Sequence, residues 1–220
     1  MSATRTALFL TLALSVSSAL AAEDVSKVNG SITADSGQAY GDLETVNGSI
    51  NIGSGATTED AGTVNGSINV ADKAVTGQLE TVNGGIKLGR NVTVNGGVET
   101  VNGSIFVDHG GKLKDGVETV NGAIGLVATQ VGGSIETVRG NITVGIDSHV
   151  RGGLAVRKSQ GVFNMEPKRD PLIIIGPNAV VEGPLVFERP VTLYVHKTAK
   201  IGAVTGATAK SFDGPTAPKQ

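Results

Sequence analysis

One phrase, written seven times, limits what this chain can fold into. Glu-Thr-Val-Asn-Gly-Ser-Ile stands at Glu44 to Ile50 and again at Glu99 to Ile105. Its valine recurs at Val28, Val46, Val64, Val82, Val101, Val120 and Val138, in steps of 18 or 19 residues. A period this short matches one coil of a β-solenoid and is too short for stacked helical repeats. Glycine at this density would also cost roughly 1 kcal/mol per residue inside helices. At about 3.3 Å per residue, 18 residues trace a circuit of roughly 60 Å, enough for three short sides stacked about 4.8 Å apart. The expected fold is all-β: a right-handed parallel β-solenoid (β-helix) with about nine or ten coils of about 18 residues.

Aligning the copies produces columns. Ile32, Ile50, Ile68, Ile86, Ile105, Ile124 and Ile142 form one, and Ala34, Ile52, Val70, Leu88, Val107, Leu126 and Val144 follow two residues later. Alternation of two puts both columns on one face of a strand, inside the solenoid. A second strand carries Leu43, Ala61, Leu79, Val98, Val117 and Ile135 inward, with a threonine two residues on and a valine after it. The pattern leaves open whether the Thr or the Val column is buried. Between the two strands stand Asn29-Gly30, Asn47-Gly48, Asn65-Gly66, Asn83-Gly84, Asn102-Gly103 and Asn121-Gly122. Both residue types tolerate positive φ, so each pair is expected to make a corner, with the asparagines hydrogen-bonding from coil to coil. Arg139 replaces Asn in the seventh copy and ends that ladder.

Outside the repeats the chain divides as follows. Arg5, the apolar stretch Ala7 to Val16 and Ala19-Leu20-Ala21 are the marks of a secretory signal peptide over residues 1–21. The apolar stretch is too short for a spanning helix, which needs about 20 residues, so no transmembrane segment is expected. The solenoid is placed at 22–205, a protruding loop at 157–171 and a disordered tail at 206–220. With no cysteine there is no disulfide framework and no thiol nucleophile. Tryptophan is absent and aromatics make up 3%, so the core must be thin and aliphatic. Charge is unevenly spread: residues 22–138 hold 14 acids against 6 bases, and residues 139–220 hold 11 bases against 6 acids.

The repeated Leu-Glu-Thr-Val-Asn-Gly-Ser-Ile resembles the bacterial exported proteins grouped as putative adhesins with β-strand repeats. That resemblance covers roughly Val25 to Val156 and implies a single-stranded β-helix of the cell envelope, with no defined activity. Ile175 to Leu185 is similar, more weakly, to coils of the filament-forming bactofilins, although the signal peptide argues against that identity.

Few residues suggest chemistry. Glu44, Glu80, Glu99, Glu118 and Glu136 stack in one column, either a recruiting stripe for cations or basic partners or simply a solvated face. Asp147, His149 and Arg151 alternate along one strand, so a shared outward face could bind or cleave carbohydrate. His109 and His196 lack neighbours at metal-ligand spacing, and no cofactor is expected. The basic stretch 151–169 carries Phe163 as its one aromatic and forms no nucleic-acid module. The functional expectation is a non-enzymatic exported structural or adhesive protein, periplasmic or extracellular. The alternatives are a carbohydrate-binding or carbohydrate-active β-helix and a filament-forming solenoid. Candidate partners are envelope polysaccharide or protein, or the chain itself, end to end.

Overall fold

The computed structural model describes residues 22–158 and 170–218. The leader at 1–21, residues 159–169 of the expected loop and residues 219–220 lie outside these. Every regular element among the described residues is a β-strand, and every pairing is parallel. Sheet A holds ten strands from Glu23–Asn29 to Val204–Thr205, and sheet B ten from Ile32–Ala34 to Ala209–Phe212. Sheet C holds seven, from Val75–Thr76 to Lys200–Ile201. The chain visits A, B and C in turn and pairs each strand with the one a circuit away, giving about nine turns of roughly 19 residues. No helix among the described residues is long and apolar enough to cross a membrane.

The isoleucine column stacks in register from Ile32 through Ile142 to Ile173 and Leu193, fully buried. Leu43, Ala61, Leu79, Val98, Val117 and Ile135 face it from sheet A, and Val94, Leu113, Val131 and Val150 from sheet C. Each large aliphatic side chain so buried contributes roughly 1.5–3 kcal/mol.

The threonines settle the question the sequence left open. Thr45, Thr63, Thr81, Thr100, Thr119 and Thr137 are buried, and Val46, Val64, Val82, Val101 and Val120 after them face solvent. A buried hydroxyl needs a partner. The preceding coil supplies one: Thr45 Oγ1 donates to the Gly30 carbonyl at 3.1 Å, Thr63 to Gly48 at 2.9 Å and Thr81 to Gly66 at 2.9 Å. Thr100 and Thr119 repeat the bond to Gly84 and Gly103.

The Asn-Gly corner differs from expectation. Among the described residues none of its asparagines has a positive φ, and of its six glycines only Gly30 (105°) and Gly122 (158°, nearly extended) do. The glycines are needed for close approach instead. A Cβ on Gly48, Gly66, Gly84 or Gly103 would collide with the carbonyl of Gly30, Gly48, Gly66 or Gly84 in the coil below. The asparagines do form the expected ladder: Asn47, Asn65, Asn83, Asn102 and Asn121 each donate from Nδ2 to the preceding Oδ1 at 2.9–3.0 Å.

Left-handed backbone is concentrated at the corner between sheets B and C. Gly37, Gly55, Lys73, Asn91, Gly110, Ala128, Asp147 and Asn178 occupy it in successive coils, all at φ between 43° and 78°. Residues with a Cβ adopt this conformation at a cost of about 1–2 kcal/mol.

The two ends are built differently. In the first strand Lys27 takes the place that threonine holds in later coils, pairs with Thr45, and its Nζ donates to the Ser31 carbonyl at 2.8 Å. Lys27 stays exposed there, and a lysine on an edge strand discourages strand addition. At the other end the expected disordered tail is corrected over part of its length. Ala209–Phe212 is the last strand of sheet B, because Phe212 is buried and packs edge-on to His196 (5.0 Å) and Tyr194 (6.4 Å). The solenoid therefore continues past Thr205.

Two substitution sets test this architecture. Gly84→Ala should destabilise by about 2 kcal/mol or more, since the Gly66 backbone must move, whereas Gly62→Ala should be neutral within about 0.5 kcal/mol. Ala128→Gly should stabilise by about 1 kcal/mol by relieving the left-handed alanine. Chemical denaturation of the three variants checks all of this.

Candidate functional site

Because side chains alternate, burying the threonines turns two columns of sheet A to solvent. Glu44, Gly62, Glu80, Glu99, Glu118 and Glu136 share one register position. Two residues on, Val28, Val46, Val64, Val82, Val101 and Val120 are each at least 37% exposed. A strip of aliphatic side chains therefore runs beside a strip of carboxylates along the rod. An open groove of about 510 Å³ lies over Gly62, with Val28, Val46, Val64 and Val82 on one side and Glu44 and Glu80 on the other. A second hollow of about 240 Å³ carries it past Glu99 and Glu118 to Arg157.

Arg157 ends the acidic strip. Its Nε and Nη2 donate to the two carboxylate oxygens of Glu136, both at 3.0 Å, and its Nη1 donates to Glu188 at 3.1 Å. Such a planar fork suits a carboxylate on both edges. The Glu188 carboxyl is held below its usual range, first by the Lys158 backbone N–H and then by Arg157. Glu118 moves the other way. The neighbouring coils desolvate one side of its carboxyl, and the charges of Glu136 and Glu99 add repulsion, so its pKa is raised.

The sequence placed Asp147, His149 and Arg151 on one face; the structure keeps His149 and Arg151 together and sets Asp147 at a corner. Asp147 occupies the left-handed corner (φ 54°), where its carboxylate accepts from Asn178 Nδ2 at 3.1 Å. His149 does face outward on sheet C, but its Nε2 lies 2.6 Å from Glu182 Oε1 on the next coil. Arg151 is exposed and shares with His149, Lys112 and Lys114 a shallow hollow of about 260 Å³. The strict alternation assumed for Asp147 fails because the corner interrupts the strand before Ser148.

Of the other histidines, His109 contacts the Asp108 carboxylate beside it and His196 turns inward to Thr198 Oγ1 at 2.9 Å. The His109 backbone N–H, then its ring, holds the Asp108 carboxyl below the usual range. Among the described residues no three histidine, aspartate or glutamate side chains gather as a metal ion requires. The sequence left the exposed valine strip as one of two alternatives; the need of a buried hydroxyl for an acceptor, met by the Gly carbonyl of the preceding coil, decides for it.

No protein-family model, no curated protein and no solved structure matches the chain.

The acidic strip has a measurable pH signature. A raised Glu118 pKa means that the folded protein holds this proton more tightly than the unfolded chain. The associated stability is complete below the ordinary glutamate range and is lost as pH rises through the elevated value. Glu118→Gln should therefore stabilise the fold near neutral pH, by less than about 1 kcal/mol because the carboxylate still meets water. The same variant should flatten stability against pH over that window in a series of thermal melts.

Proposed function

We propose that the protein is a non-enzymatic, exported interaction scaffold of the bacterial cell envelope, a rod that engages its partner along the outer face of sheet A. The observation that carries this is the strip of six exposed valines aligned coil upon coil. Scattered exposed aliphatic residues need no explanation, whereas a contiguous strip on a soluble surface marks a contact site. Export is supported by the leader signature at 1–21, and the envelope by the resemblance of the repeats to exported adhesin-type proteins. Regular stacking suits a scaffold, since each coil contacts its neighbours and the face extends with coil number.

Carbohydrate binding is favoured by one separate observation. Phe106, 40% exposed on sheet B, borders an open hollow with Asn69 and Lys87, a flat apolar surface rimmed by hydrogen-bonding groups. That hollow, and not the Asp147–Arg151 segment, is where such a ligand would sit.

The triple variant Val46→Thr, Val64→Thr, Val82→Thr keeps β-branched residues in the strands and removes the apolar strip. The purified protein should co-sediment with isolated bacterial envelope, and the triple variant should lose most of that association with its melting temperature unchanged. Equal sedimentation of both proteins, or none by either, contradicts the proposal.

A further inference from the structure

We infer that the groove over Gly62 receives an extended cationic segment of a partner polypeptide, one basic side chain lying between Glu44 and Glu80 and aliphatic neighbours along the valine strip. This deepens the interaction role proposed above and rests on it.

Gly62 is the starting point. It holds the register position occupied by Glu44 before it and by Glu80, Glu99, Glu118 and Glu136 after it. Nothing in the backbone requires glycine there: its φ is not positive, and an added Cβ would meet no atom within 4 Å. Gly48 and Gly66, on the same two strands' corners, are the opposite case, pressed against the carbonyls below them. The missing side chain at Gly62 therefore relieves no strain. What it does is open the groove of about 510 Å³ between two carboxylates, roughly two coil spacings or about 10 Å apart along the rod.

The charge of the occupant follows from the walls. The sheet A strands Tyr40–Asn47, Ala61–Asn65, Leu79–Asn83, Val98–Asn102 and Val117–Asn121 contain no lysine or arginine. The one cation lining the groove, Lys27 on the strand before them, donates its Nζ to the Ser31 carbonyl, so the carboxylates of Glu44 and Glu80 outnumber it two to one. Asp42 and Asp60 add to Glu44 and Glu80 around a further hollow beside the same gap. Among the described residues Glu44, Glu80 and Glu99 enter no ion pair. A face of this kind attracts cations and rejects anions. The opposite wall is aliphatic, so the occupant needs apolar groups as well as charge.

Its shape follows from area. Six coils at about 4.8 Å and three residues of width at about 3.3 Å give a face of roughly 30 by 10 Å, about 300 Å². Stable association of two folded partners buries about 800 Å² on each side, so a second copy of this chain is a poor fit. An extended segment of about nine residues spans the same length. Sheet A's backbone groups are already paired coil to coil, so recognition runs through side chains alone.

The test is calorimetric titration of the mature chain with a synthetic nine-residue peptide of alternating lysine and valine. Binding is expected, at least about tenfold tighter than to alternating lysine–serine or to spermidine, with none to alternating glutamate–valine. Gly62→Gln fills the gap without adding charge and should weaken binding about tenfold at an unchanged melting temperature; Glu80→Gln should weaken it similarly. Binding of the lysine–valine peptide that is indifferent to Gly62→Gln overturns the assignment of the gap. Spermidine matching the peptide reduces the site to diffuse charge and overturns the polypeptide partner. Envelope association that depends on the valines, combined with no peptide binding, overturns this inference while leaving the scaffold role standing.

Discussion

The structure depends on one contact, the stacking of a carbonyl oxygen against a bare α-carbon at each Asn-Gly corner. The Gly30 carbonyl touches the backbone of Gly48 above it and accepts the hydroxyl of Thr45, and the arrangement repeats through Gly48, Gly66 and Gly84. Any side chain on the glycine would push the coils apart, and any residue without a hydroxyl at threonine would leave a buried carbonyl short of a donor. The contact thus dictates two letters of the repeat directly. It dictates a third indirectly, because a buried threonine forces the next residue outward. Valine is in solvent because threonine is not.

From that follows the surface. A solenoid multiplies whatever one coil displays, so a glutamate and a valine per coil become two parallel strips about 30 Å long. Stacking carboxylates coil upon coil carries a cost: desolvation first, and the charges of Glu136 and Glu99 second, raise the Glu118 pKa, and the Arg157 fork terminates the strip by binding Glu136 on one coil and Glu188 on another. The ends are closed by different means. Lys27 sets a charge on the first strand, and Phe212 plugs the last coil against His196. Both make the rod a poor template for strand addition, which favours contact through its side over growth from its ends.

Much of the fold was legible in the letters, because period and alternation report directly on geometry. The Ile32-to-Ile142 column, the sheet A aliphatic column and the asparagine ladder stand where the spacing placed them. What escaped involves interactions that spacing does not encode. Asn-Gly serves turns of positive φ in many chains, yet here glycine answers to a carbonyl in another coil, a partner 18 residues away. The corner that does need positive φ is filled by Lys73, Asn91, Ala128 and Asp147 as well as glycine, so composition hides it. Asp147, whose alternation with His149 and Arg151 suggests a shared face, belongs to that corner. The strand Ala209–Phe212 carries no copy of the repeat to announce it; it pairs in register with Leu193 to His196 and is anchored by Phe212. The Gly62 gap was present as a break in the glutamate column, but its meaning needed the empty space around it.

The central claim, that each circuit advances the chain by one strand spacing, can be measured as a distance. Thr33, Lys87 and Lys210 occupy a single outward column of sheet B, Thr33 and Lys210 on its first and last strands. The chain has no cysteine, so cysteines placed at these positions take spin labels cleanly. Pulsed dipolar spectroscopy on the Thr33–Lys210 pair should give a narrow distribution near about 43 Å, and on the Lys87–Lys210 pair near about 29 Å, nine and six spacings of about 4.8 Å. Distances that fail to scale with the number of intervening coils, or a broad distribution for either pair, would contradict the stacked-coil account.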